Sequence, residues 1–285
     1  MAIYRWRGDG AGTKTSWEDG RNWVNESGTP YSEAAGPGNS DTDDDVYFDV
    51  AITGTAQAVA GVDTSGDYTL NSVNIMSAYD QDIASSGTYL ALDCVTLIID
   101  AAAAGDIYIE GKNLTNVIVR NLKSGSTLYL KGVVQNLYAI KGTVECSVGT
   151  WTSTCEVVLG YSTSTTSDLT FTLAAAAATP GTAIKMYGGT ATFNKTMSLI
   201  QSAGTSTIAA GATTVQLFGG TCEWDATAIT TLEAWGGTFT SDLVNAATIT
   251  NLKIGAGATV NLANPVTTYT NLTNLGGTLS LPLEP

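Results

Sequence analysis

VQLFGGTCEW, residues 215–224, is one of five versions of a single phrase, and its recurrence decides the fold. The others are LYAIKGTVEC (137–146), IKMYGGTATF (184–193), LEAWGGTFTS (232–241) and LTNLGGTLSL (272–281). Each reads aliphatic residue, two spacers, large apolar residue, Gly or Lys, Gly, Thr, then a short alternating tail. Such repetition marks stacked, equivalent units.

With the second residue of the Gly pair as reference, Val144, Ala191, Cys222, Phe239 and Leu279 stand two places on. Cys146, Phe193, Trp224, Ser241 and Leu281 stand four places on. The intervening places hold first Thr143, Thr190, Thr221, Thr238 and Thr278, then Glu145, Thr192, Glu223, Thr240 and Ser280. Alternation of period two predicts a strand with one buried face. The Gly pair predicts the turn before it, because Gly tolerates positive φ cheaply. Stacked in register, the columns put apolar residues inside and Thr outside.

Gly220 and Gly237 are 17 residues apart, and Gly237 and Gly277 are 40 apart, with a degenerate copy, LKIGAGATVNL (252–262), between. Steps of about 17 to 21 residues are too short for a propeller blade, and the copies lack a leucine-rich consensus. The expected fold is all-β: a single-stranded parallel β-helix, taken as right-handed by analogy, behind an N-terminal cap. We expect the cap over residues 1–50 and the solenoid over 51–285, with about 11 or 12 rungs at ~20 residues each. The Ala runs 101–104 and 174–178 are too short for helices and read as rung corners.

Residues 1–50 lack the phrase but hold three of the six Trp residues. In order they carry Trp17, Asn22, Trp23, Pro37, Gly38, Asp44, Val46 and Phe48, the pattern W-x(4)-N-W, Pro-Gly, Asp-x-V-x-F. This stretch resembles the opening motif of β-helical phage virion and surface proteins. The resemblance implies a cap on a β-solenoid and carries no chemistry. A first rung needs such a cap, since it otherwise exposes apolar cross-section and unpaired strand edges.

The net charge is −14, with −7 concentrated in residues 26–49. So acidic a surface repels phosphate backbones, which excludes nucleic acid as an expected partner. No run approaches 18 consecutive apolar residues, so no membrane partner is expected. MAIYRWRG at the start has no apolar core of a secretory signal, and the expected location is a virion assembled in a host cytoplasm.

The sequence contains no His, which removes Ser-His-Asp and Cys-His catalysis and His-ligated zinc. Cys94, Cys146, Cys155 and Cys222 have no metal-ligand spacing; they read as buried thiols, with a Cys146–Cys155 bridge as the alternative. The acidic run Asp41–Asp45 reads as a solvated loop or as a Ca²⁺ site, and it lacks EF-hand spacing. Glu145, Glu223, Asp225 and Glu233 are the carboxylates a glycosidase or lyase would use; with at least two layers between them, Glu145 and Glu223 stand at or beyond the upper end of the separation such a pair needs. We therefore expect no enzyme, no cofactor and no bound metal.

Two sets of residues remain as binding candidates. Tyr4, Arg5, Trp6 and Arg7, with Trp17 and Trp23, read as docking anchors or as an Arg–Trp cluster closing the cap. Ile140, Tyr187, Phe218, Trp235 and Leu275 form the column just before the Gly pair, which strict alternation puts outside and a rotating Gly turn puts in the core corner. Exposed, such a column would stack on sugar rings or enter a subunit interface. The expected function is a non-enzymatic virion subunit, a capsid-decoration or head-fibre protein, homotrimeric and docked on the major capsid protein. The alternatives are a carbohydrate-binding adhesin or tail-fibre domain and, last, a polysaccharide-degrading enzyme.

Overall fold

The computed structural model describes residues 2–8, 17, 19–32, 36–37, 43–49, 69–147, 151–160, 168–177, 179–226, 228–241, 248–262 and 268–281. It divides into two compact units, Met1–Thr152 and Ser153–Pro285. Both are parallel β-solenoids, so the fold is the expected all-β one, with about nine turns among the described residues and not the expected 11 or 12. Among the described residues the one helical element is a 3-10 turn, Gly20–Asn22. The expected boundary at residue 50 falls outside the described residues.

In the first unit, β1 (Ile3–Trp6) pairs antiparallel with β2 (Trp23–Val24) and parallel with β3 (Asp45–Phe48). The coil then runs through β4 (Thr69–Ile75), β5 (Leu90–Ala101), β6 (Ile107–Leu122), β7 (Thr127–Ala139) and β8 (Gly142–Cys146). Its core column stacks Val46 on Val73, Val73 on Leu97, Leu97 on Val117 and Val117 on Leu137. The step shortens from 27 residues at the cap to 24 and then 20, so early turns carry longer excursions.

The second unit starts within β9 (Trp151–Leu159) and continues through β10 (Leu169–Leu173), β11 (Ile184–Met186) and β12 (Thr190–Phe193). Then follow β13 (Met197–Gln201), β14 (Thr205–Ile208), β15 (Ala212–Leu217), β16 (Thr221–Trp224), β17 (Ala228–Ser241), β18 (Thr248–Leu262), β19 (Thr268–Leu275) and β20 (Thr278–Ser280). Inside, Ile184, Leu199, Val215, Leu232 and Leu252 stack in register, all buried. Outside, Thr170, Thr190, Thr205, Thr221, Thr238, Thr259 and Thr278 form one unbroken ladder. β-branched residues favour this extended backbone, and Thr keeps the solvent face polar.

LKIGAGATVNL, the degenerate copy, lies within β18 and pairs with the LEAWGGTFTS copy of β17. One turn goes beyond the five phrases. LIQSAGTSTI (199–208) lies between the Gly189 and Gly220 copies, and Gly204 takes φ +84 where those glycines take +82 and +78. Its steps are only 15 and 16 residues, Phe193 to Ile208 and Ile208 to Trp224, below the expected range. Ser202 stands there in the large apolar position and Ala203 in the first Gly position, which hides it.

The glycines at these corners are held by close packing. A Cβ on Gly237, at φ +73, would stand 2.4 Å from the Gly220 carbonyl oxygen of the preceding turn. Backbone at that distance cannot accept a side chain, so the turns stack only where Gly recurs.

Candidate functional site

The cap is an aromatic cluster. Trp23 meets Trp6 and Trp17 edge-on with centroids 4.8 Å away, and Phe48 at 5.7 Å. Phe48 in turn meets Tyr79 of the first solenoid turn at 5.2 Å. Trp6 and Trp23 are fully buried, and Trp17 and Tyr4 nearly so. Polar groups of the motif are bonded inward: Trp23 Nε1 donates to the Trp17 carbonyl at 2.8 Å, and Asp44 accepts from the Ala2 amide at 3.0 Å.

Of the two readings for Tyr4, Trp6, Trp17 and Trp23, docking anchors or a cluster closing the cap, their burial places them in the cap core. Edge-to-face packing among large rings gains more inside the cap than any of them would gain in water. Arg5 and Arg7 are half-buried at its rim. Both pair with Asp49, and the Arg5 guanidinium sits 5.0 Å over the Tyr47 ring, so its cation–π partner is a tyrosine.

In the acidic segment, Asp44 and Asp45 are buried and structural. Asp45 accepts from Asn71 Nδ2 at 2.8 Å and Ser72 Oγ at 2.6 Å, tying β3 to the first turn. Asp41 lies outside the described residues. Among the described residues no cluster of three or more His, Cys, Asp or Glu could hold a metal ion. Cys94, Cys146 and Cys222 are buried, while the Cys155 side chain, and with it the alternative bridge, lies outside the described residues. Burial pushes the Cys94 and Cys222 thiols up to about 12.

Of the candidate carboxylates, three lie in the second unit. Glu223 is exposed in the Thr wall, 3.5 Å from the Thr207 hydroxyl, and Asp225 is exposed beyond the end of β16. Glu233 is half-buried and accepts from Gln216 Nε2 at 3.0 Å. Glu145 lies half-buried in the first unit.

The column before the Gly pair faces outward. Tyr187 is 43% exposed, Phe218 51% and Leu275 54%. Ile140, in the first unit, is half-buried. Registers of the neighbouring strands put Ser202 between Tyr187 and Phe218, and Gly255 between Trp235 and Leu275. Trp235 is half-buried because its ring lies where a Gly255 side chain would be, 2.8 Å from that Cβ position, with Lys253 Nζ 4.5 Å from the ring centroid. The Gly turn therefore leaves the strand alternation intact, and the rings stand outside.

A second outward aromatic group escaped the sequence reading. Tyr108 and Tyr129 stack at 4.5 Å and 8° in the first unit, and Tyr89 meets Tyr108 edge-on at 5.5 Å. Lys131 Nζ lies 4.1 Å over Tyr89 and pairs with Glu110, which also accepts from Lys112 at 2.8 Å. The Lys112 hydrogen bond, with Lys131 adding to it, holds the Glu110 carboxyl below its ordinary value against partial burial. The recurring pentads IYIEG (107–111) and LYLKG (128–132) were the available signal.

Searches against protein-family models, curated proteins and solved structures return no match to this chain.

Proposed function

We propose that the chain is a non-enzymatic structural subunit of a bacteriophage virion, of the capsid-decoration or head-fibre type. It associates with itself as a trimer and docks on the major capsid protein through its capped end. The observation that carries this reading is the fate of the N-terminal motif. Trp17, Asn22, Trp23, Val46 and Phe48 all enter the buried core of the cap, and Asp44 is buried against the Ala2 amide. These side chains close the first turn of the coil, and the stretch they form is the one that resembles phage surface proteins. With the rings buried, docking contacts fall to the cap's polar rim, where Arg5 and Arg7 sit.

The test is quantitative mass spectrometry of purified particles from a phage that encodes the chain. The expected result is a fixed ratio of this chain to the major capsid protein; particles without it would overturn the reading. One observation favours a second reading, a glycan-binding adhesin or tail-fibre domain: Tyr187 and Phe218 are exposed rings just past the ends of β11 and β15. Glycan-array binding lost in Phe218→Ala would support it.

A further inference from the structure

We infer that the outward column of the second unit is the seam along which copies of this chain pack side by side, with their coils parallel. This rests on the self-association proposed above and assigns it a surface. In successive turns the column holds Tyr187, Ser202, Phe218, Trp235, Gly255 and Leu275, and its three exposed large apolar members, Tyr187, Phe218 and Leu275, are 43% to 54% accessible. An apolar ridge of this length on a rigid face costs free energy in water unless something covers it.

Charge selects another copy of the chain as the occupant. At a net charge of −14, identical molecules repel one another over most of their surface. Beside this ridge that repulsion is absent. The flanking column on one side carries Lys185, Ile200, Gln216, Glu233 and Lys253. Lys185 pairs with Glu156 at 2.5 Å, Glu233 accepts from Gln216, and Lys253 lies over Trp235, so the charges are locally matched. The other flank, past the Gly corner, carries the hydroxyls of Thr190, Thr205, Thr221, Thr238 and Thr259.

The unlike flanks fix the orientation. Rotation about an axis parallel to the coils brings the Lys/Glu/Gln flank of each copy against the Thr flank of the next, pairing charged groups with hydroxyls. A dyad across the coils at the level of Gln216 would set this flank against itself in reversed order, bringing the Lys185 of one copy level with the Lys253 of the other. Cyclic symmetry with parallel coils meets the requirement and closes the assembly. Phe218 then meets its own symmetry mates near the axis, and the gap at Ser202 lies at the same level in every copy.

The experiment is light scattering on the full chain and on Phe218→Asp, Phe218→Leu and Ser202→Cys. Wild type and Phe218→Leu should give three chain masses. Phe218→Asp should give one mass at the same loading, with an unchanged circular dichroism spectrum showing that the coil is intact. Ser202→Cys should cross-link between chains on mild oxidation, because its copies meet at one level, while wild type does not. A trimeric wild type whose mass is unchanged by Phe218→Asp places the seam elsewhere and leaves the proposed function standing. A monomeric wild type removes the self-association itself. A Phe218→Asp monomer without Ser202→Cys cross-linking overturns the parallel arrangement.

Discussion

Gln201 offers the sharpest test of how the second coil is held. It sits, fully buried, in an inward column between Met186 and Leu217, a place where an aliphatic side chain would be expected. Its Nε2 donates to the Gly204 and Thr221 carbonyls, both at 3.0 Å, and its Oε1 accepts from the buried Ser206 hydroxyl at 2.6 Å. The side chain thus clamps its own corner to the next turn. Gln201→Leu forfeits two bonds to carbonyls, about 1 kcal/mol each, and strands Ser206 at a cost of about 1–3 kcal/mol. The neighbouring Cys222 thiol, a weak hydrogen-bonding group, recovers little of that. Added apolar burial returns about 1 kcal/mol, so we expect a net loss of about 2–4 kcal/mol. Ser206→Ala alone leaves the buried Gln201 Oε1 unpaired and should cost about 1–3 kcal/mol. The double variant removes both partners and should be more stable than the sum predicts, by at least about 1 kcal/mol. Urea denaturation of the full chain followed by circular dichroism measures all four corners of the cycle. Additivity within about 0.5 kcal/mol would refute the clamp.

Other consequences follow from single residues. Gly237→Ala puts a side chain at φ +73 and 2.4 Å from the Gly220 carbonyl oxygen, and should cost about 2–4 kcal/mol in the same urea titration. Trp224 Nε1 and Ser241 Oγ, register partners in adjacent turns, are buried without a hydrogen-bond partner; Ser241→Ala should raise stability by about 1 kcal/mol, read as an upward shift of the thermal midpoint. Burial raises the Cys94 and Cys222 thiols from 9.0 to about 12, so the unfolded chain loses these protons first. Their contribution is complete below the unfolded value and is lost as pH climbs from 9.0 towards about 12. The slope is about 1.4 kcal/mol per pH unit for each thiol. Cys222→Ala should flatten the alkaline stability profile, and an unchanged slope would contradict the burial.

The rung architecture was legible because it rests on period-two alternation and on glycines that the stacking itself demands. Cys146, Cys222 and Trp224 lie inside and Glu223 outside, as their columns predicted. The turn at 199–208 was not legible, since Ser202 and Ala203 erase two of its marker positions while backbone pairing preserves the geometry. Alternation is blind to the Gln201 clamp, because a buried amide reads as a solvent-facing residue until its partners are seen. The cap went the other way. Its Trp and Arg composition matches that of an interface, and only three-dimensional packing shows that the rings fill their own core. The outward rings were legible in position and ambiguous in direction. That ambiguity turned on whether the Gly corner rotates the residue before it, a backbone property that composition does not encode.

Rebinding tests the proposed function most directly. Particles assembled without this chain are mixed with the purified full chain, sedimented, and scored for bound protein. Saturable uptake in multiples of three, weakened by charge reversal at Arg5 and Arg7 and not by Glu223→Gln, is the predicted result. Particles that sediment with no bound chain at any loading would contradict it.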